Sequence, residues 1–188
     1  MEMLTMDETR ETWDCGIACL QMVTGASWEE VLGRCGTRSI WTVDLAQVLH
    51  GLEVRFVFAT KTLGCDPAYK RLPFYSNDIS TDEDRIRRIF SRAEFKIHQK
   101  IVSSELLEAI LAAGYAVVVL VDLRFLNGEV PSWTYTGHYV VLFAVERGYV
   151  AYRDPAADQP ELWVKSDDLH KARTAHGTDE DLVVVRLP

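Results

Sequence analysis

Four apolar, β-branched runs in the second half of the chain constrain the fold most: residues 116–121, 139–145, 149–154 and 182–187. Each is bounded by turn residues and too short for a buried helix, so each reads as a strand. Glu146-Arg147-Gly148 joins two of them with the length of a hairpin connection. The first half is written in a different period. Apolar positions at 15, 18, 19, 22 and 23 form a helical stripe that Gly25 brings to an end. Ser27 followed by Glu30 has capping-box spacing and predicts a short helix over 28–32. Thr42 is expected to cap a third helix, with Leu45, Val48 and Leu49 inward and Gly51 closing it. Residues 54–58 alternate as a strand does. Thr81 is expected to cap an amphipathic helix with Ile86, Ile89, Phe90 and Ala93 on one face. Ser103 or Ser104 begins another helix, which Gly114 stops. Residues 60–80 read as an irregular ordered loop over a site, held by Tyr69, Phe74 and Tyr75. Helices first and strands later argue for an α+β domain, a helical part packed against an antiparallel sheet, rather than an alternating doubly wound fold. The expectation is one domain over 1–188, with 1–12 as a loose polar arm.

Charge narrows the function classes. The formal net charge is −8, which repels nucleic-acid backbone and anionic lipid. The densest basic cluster, Arg85-Ile86-Arg87-Arg88, lies beside Asp82, Glu83 and Asp84 and reads as a solvated helix face. The longest apolar stretch, 116–121, is far short of the roughly 20 residues of a membrane span, and Met1-Glu2-Met3-Leu4-Thr5 lacks the pattern of a signal peptide. Neither nucleic acid nor membrane is an expected partner; oligomeric state is not indicated. The four cysteines, Cys15, Cys19, Cys35 and Cys65, form no C-x-x-C pair. That spacing suits reduced thiols in the cytoplasm or nucleus and no zinc site.

Cys15 carries the strongest chemical signal. It opens the first helix, where unpaired backbone N–H groups favour a thiolate. Gly16 leaves room for substrate and for a backbone N–H facing an oxyanion. Cys19, one turn on, points to the core. His138, in Gly137-His138-Tyr139, stands at the entrance to a strand. Asp154, in Tyr152-Arg153-Asp154-Pro155, ends the next one. If those strands form a hairpin, the two residues adjoin, and the acid can hold the imidazole's tautomer and charge. His50, His98, His170 and His176 read as surface or capping residues.

The run Trp13-Asp14-Cys15-Gly16-Ile17-Ala18-Cys19-Leu20 resembles the signature of the guanylylate cyclase family, which is similar in pattern to the double-glycine cysteine peptidases of the papain-like superfamily. The likeness continues through Ser39-Ile40-Trp41-Thr42-Val43-Asp44-Leu45, Thr60-Lys61-Thr62-Leu63-Gly64, Phe74-Tyr75, Gly137-His138-Tyr139 and the block 172–181. It implies a papain-like fold with Cys15, His138 and Asp154 as catalytic residues, and Trp13, Asp14, Gly16 and Thr9 lining the site. Papain-like enzymes place an oxyanion-binding glutamine where Thr9 stands, so either Thr9, Thr12 or backbone N–H groups serve that role here or the site is weakened. The peptidase likeness implies a hydrolase of peptide, amide or isopeptide bonds, with a peptide or protein substrate and no cofactor. The family name implies instead conversion of GTP to cyclic GMP, which needs Mg or Mn. No glycine-rich phosphate loop is present, although Lys61, Lys70 and Arg71 could form a local basic pocket. Asp179-Glu180-Asp181 reads as an acidic turn before the last strand. A third expectation, permitted by Thr9, is a weakened papain-like domain that binds peptide or protein without turnover.

Overall fold

A computed structural model describes residues 14–36, 40–75, 78–128 and 135–186, with 78–81 described by backbone alone. The arm 1–12, Thr9 and Trp13 lie outside the described residues. Helix α1 (Cys15–Thr24) ends at Gly25, whose φ of 72° is left-handed and whose N–H bonds the Gln21 carbonyl at 2.8 Å. Glycine takes this conformation without a Cβ penalty. Helix α2 (Trp28–Cys35) is capped by Ser27 Oγ, which accepts the Glu30 N–H at 3.2 Å, and runs a turn past the expected 28–32. Helix α3 (Thr42–Gly51) takes Trp41 as its N-cap, with the Asp44 carboxylate accepting the Trp41 N–H at 2.8 Å. Thr42 therefore lies inside the helix rather than capping it.

Strand β1 spans Phe56–Thr60, two residues later than 54–58 predicted. Val54 is held by the helix before it: its N–H bonds the Leu49 carbonyl at 3.0 Å. Two 3-10 turns, Pro67–Arg71 and Pro73–Tyr75, order the segment expected to be irregular. Helix α4 (Asp78–Arg92) starts ahead of Thr81, which is not its cap. Then come β2 (Ile97–Gln99), α5 (Ser104–Ala112), β3 (Tyr115–Asp122), the short α6 (Leu123–Leu126), β4 (Gly137–Glu146), β5 (Tyr149–Arg153), β6 (Leu162–Lys165), α7 (Ser166–Arg173) and β7 (Leu182–Arg186). Ser103 is the α5 cap, its Oγ accepting the Leu106 N–H.

The seven strands form one sheet in the order β2-β1-β7-β3-β4-β5-β6. Pairing is antiparallel except at one edge, where β1 and β2 run parallel. A parallel pair needs a long crossover, and α4 supplies it. At the β4–β5 hairpin Glu146 pairs with Tyr149. The two loop residues, Arg147 and Gly148, have φ of 50° and 78°, as a type I′ turn requires.

Helices cover both faces of the sheet. Ala116, Val118 and Leu120 of β3 face α1, α2, α3 and α4. Val117, Val119 and Val121 face the other way, onto Leu107 and Leu111 of α5 and Leu169 and Ala172 of α7. A strand buried on both sides must be apolar throughout, which explains the unbroken run at 116–121. The expected α+β architecture, helices packed against a mostly antiparallel sheet, is the one observed, with α5 and α7 adding helices to the second face.

Candidate active site

Cys15, His138 and Asp154 converge because three element ends meet. Cys15 is the first residue of α1, and Asp14 is the N-cap. His138 is the second residue of β4, and Asp154 directly follows β5. The tight hairpin brings the start of β4 and the end of β5 together. His138 Nε2 lies 2.6 Å from Asp154 Oδ1. The same carboxylate oxygen accepts the Ala156 N–H at 2.8 Å, which fixes its position. The imidazole also hydrogen-bonds Cys15.

Burial by itself pulls the His138 pKa down, but the hydrogen bonds and charges of Asp154 and Cys15 outweigh it and raise the value to about 10. Asp154 moves the other way. Burial raises it, yet the His138 hydrogen bond and charge, with the Ala156 N–H, hold it below 3.8. The His138 contribution to stability is complete below its ordinary 6.5 and disappears as pH climbs through about 10. The Asp154 contribution is present above 3.8 and is lost as pH falls through its lowered value. The charged pair therefore persists across the neutral range.

Gly16 is required by close approach. A Cβ built there would lie 2.7 Å from Ile40 Cδ1 and 3.2 Å from Tyr139 Cδ2. Gly16→Ala should cost about 1–3 kcal/mol through overpacking, read as a lowered urea midpoint at unchanged slope. Asp14 is fully buried beside Cys15. Cys19 is buried as well, and desolvation pushes its thiol well above the ordinary value, so it is a core residue.

Several residues around Cys15, His138 and Asp154 were not singled out by sequence. Asp122 ends β3, where Val121 pairs with His138 and Asp122 with Gly137. Its carboxylate holds Arg124, whose Nε donates at 2.9 Å. The Leu123 N–H bonds the Thr136 carbonyl at 3.0 Å, tying down the approach to Gly137. An acid closing an apolar run, with arginine two residues on, was the available signal. Beside Gly137 stands an aromatic stack. Tyr75 lies 5.2 Å from Trp41, 5.8 Å from Tyr69 and 5.3 Å from Tyr135, centroid to centroid. Tyr69, Phe74 and Tyr75 thus pack the described part of that segment, up to Tyr75, as expected, but Trp41 and Tyr135 join them from distant sequence. Tyr75 also donates to the Gly177 carbonyl at 2.7 Å.

The other candidates have structural partners. Lys61 pairs with Glu180 at 3.2 Å and Lys70 with Glu83 at 2.6 Å, so two of the three cations of the expected basic pocket are held by carboxylates. Arg85 is half-buried against Asp44 and Asp82, which corrects the solvated reading of that position. His50 meets Glu94, His170 meets Ser104, and His176 rests edge-on against Tyr69. The 179–181 turn is formed, with φ of 50° and 53° at Asp179 and Glu180, but both residues are buried. Burial pushes Asp179 up to about 6, against hydrogen bonds from Tyr69 and Thr62 that lower it. Among the described residues no group of three or more His, Cys, Asp or Glu is placed to hold a metal ion. No described helix is long and apolar enough to cross a membrane.

Comparison with known proteins gives the fold and the family. Guanylyl cyclase 1 of Arabidopsis thaliana is 35% identical over 202 aligned residues, covering 94% of this chain and 73% of that protein. A Bacillus anthracis protein described as a C39-like peptidase matches in structure, with a TM-score of 0.57 over 98% of this chain and 94% of its own, at 14% identity. That likeness is one of fold, and it identifies the mixed α+β architecture as the papain-type, C39-like fold. The guanylylate cyclase family profile matches residues 4–185, and the chain belongs to the guanylylate cyclase family.

Proposed function

We propose that this protein is a thiol hydrolase of peptide, amide or isopeptide bonds, with Cys15 as nucleophile, His138 as proton carrier and Asp154 as its orienting acid. The observation that carries the reading is the 2.6 Å His138–Asp154 contact on an imidazole that also bonds Cys15. The reactive form of a cysteine is the thiolate, and an adjacent imidazolium stabilises it. In this mechanism the sulfur attacks the carbonyl carbon, and the backbone N–H groups opening α1 face the developing oxyanion. His138 gives its proton to the leaving amine, releasing it and leaving a thioester. It then takes a proton from water, whose oxygen displaces the sulfur and restores the thiolate. No metal enters this sequence of steps. The free thiols of Cys15, Cys19, Cys35 and Cys65 support a reducing compartment, the cytoplasm or nucleus.

The pH profile tests the roles. Hydrolysis of a fluorogenic peptide-amide library should persist into the alkaline range and fall as His138 loses its proton near pH 10. Asp154→Asn removes a charge that supports the imidazolium, so the alkaline limb should move to lower pH. An unmoved limb would remove Asp154 from the mechanism.

The name of the Arabidopsis relative supports a second reading, conversion of GTP to cyclic GMP. Cyclic GMP formation that needs added magnesium or manganese and survives Cys15→Ser would establish it in place of the hydrolase. Tight peptide binding with neither activity would make the site a binding cleft.

A further inference from the structure

A groove of about 440 Å³ lies between the C-terminal halves of α3 and α4. Gln47 and His50 line it from α3, Arg88, Ile89 and Arg92 from α4, and Phe95 from the segment beyond. Its floor is apolar. Ile89 and Phe95 are partly buried against the core, and the Phe95 ring meets Phe56 edge-on at 5.4 Å. Its rim is cationic. Arg88 and Arg92 are exposed one helical turn apart, on the same face of α4. Among the described residues neither guanidinium has an ion-pair partner. Their neighbours differ: Arg85 is held by Asp44 and Asp82, and Arg87 by Glu83. The one carboxylate in the lining, Glu94, is turned to His50 at 3.6 Å.

Like charges four residues apart repel, so α4 carries an arrangement that an anionic ligand would relieve. Helix-dipole compensation accounts for a cation in the last turn. It does not account for Arg88, a turn earlier and beside the same apolar floor. In a chain of net charge −8, this patch is complementary to an acidic partner that most of the surface repels.

We infer that this groove docks an acidic peptide segment of a protein partner, seating an apolar side chain on Ile89 and Phe95 between carboxylates paired to Arg88 and Arg92. A phosphate ligand fits less well. Both helices turn their C-terminal ends toward the groove, and their partial negative charge disfavours a compact, multiply charged anion. An extended peptide can instead space single carboxylates along the rim and place an apolar anchor between them. The groove is remote from the thiol. Ile40, just before α3, touches Gly16, whereas the groove lies at the other end of that helix, about 15 Å on. A docked segment would leave the Cys15 cleft open.

The test uses the full chain carrying Cys15→Ala, so that binding is separated from turnover. Fluorescence anisotropy is followed with a labelled peptide of glutamates flanking a central leucine. Saturable binding is expected. Arg88→Glu with Arg92→Glu should weaken it at least about tenfold, the scale of two exposed pairs lost and made repulsive. The double glutamine variant should give a smaller loss in the same direction. Replacing the peptide's leucine by serine should weaken binding too. Four results would overturn the proposal: no binding, binding indifferent to charge reversal, equal binding of the serine peptide, or preferential binding of inorganic triphosphate or of phosphatidylserine vesicles.

Discussion

Replacing Cys15 by alanine is expected to lower amide hydrolysis by about 10⁴- to 10⁶-fold, and replacing His138 to lower it by a similar factor. The two losses should not add, because neither residue does its work without the other. The imidazole bonds both Cys15 and Asp154, so removing either end of that chain leaves no proton transfer to couple to bond cleavage. His138→Ala would also strand a partly buried Asp154, and loss of stability could then pass for loss of chemistry. His138→Gln, which keeps a hydrogen-bonding side chain, is the better second variant. Far-UV circular dichroism and a urea midpoint separate folding from turnover. Progress curves on the same amide library measure the rate. Near wild-type hydrolysis by Cys15→Ser or Cys15→Ala would end the thiol reading.

Phe58→Ala should cost about 3–5 kcal/mol of stability, among the largest effects of any single substitution in this chain. The Phe58 side chain has no exposed surface and belongs to the core between the sheet and α1, α3 and α4. Its ring lies 6.2 Å from that of Phe90 on α4. In the sheet Phe58 pairs with Val183 of β7 and Ile97 of β2, so neighbours on both sides limit collapse into the space vacated. Val57 provides the control. It points to the opposite face, is 44% exposed, and its alanine variant should stay within about 0.5 kcal/mol of wild type. Urea titration at constant slope gives both values, and equal midpoints would contradict the burial assigned to Phe58.

Local order was legible wherever one residue type answers one local demand. Gly25 ends α1 because only glycine adopts a positive φ there at no cost. Ser27 caps α2 because its hydroxyl reaches an N–H three residues on. The α4 start escaped because Thr81 offered an equally plausible cap inside the helix. Strands β2 and β6, with three and four residues, are too short to show a period. They exist through pairing with β1 and β5, and that pairing is not written in their own composition.

The candidate site divides along the same line. The order of Cys15, His138 and Asp154 along the chain, with a helix start, a strand start and a strand end, was enough to select the three residues. Selecting them required only local features and the short hairpin between β4 and β5. What surrounds them came from distant sequence. Trp41 and Tyr135 join the aromatic stack, Arg85 turns to Asp44 across 41 positions, and Lys61 reaches Glu180 across 119. Sequence periodicity reports which way a side chain faces, not which partner it meets. The chain by itself therefore determined the strand core, some of the helix ends and the candidate residues Cys15, His138 and Asp154. The tertiary structure alone decided that both sheet faces are covered, that Lys61 and Lys70 are paired, and that Arg88 and Arg92 have no ion-pair partner among the described residues, because each depends on contacts between segments far apart in the chain.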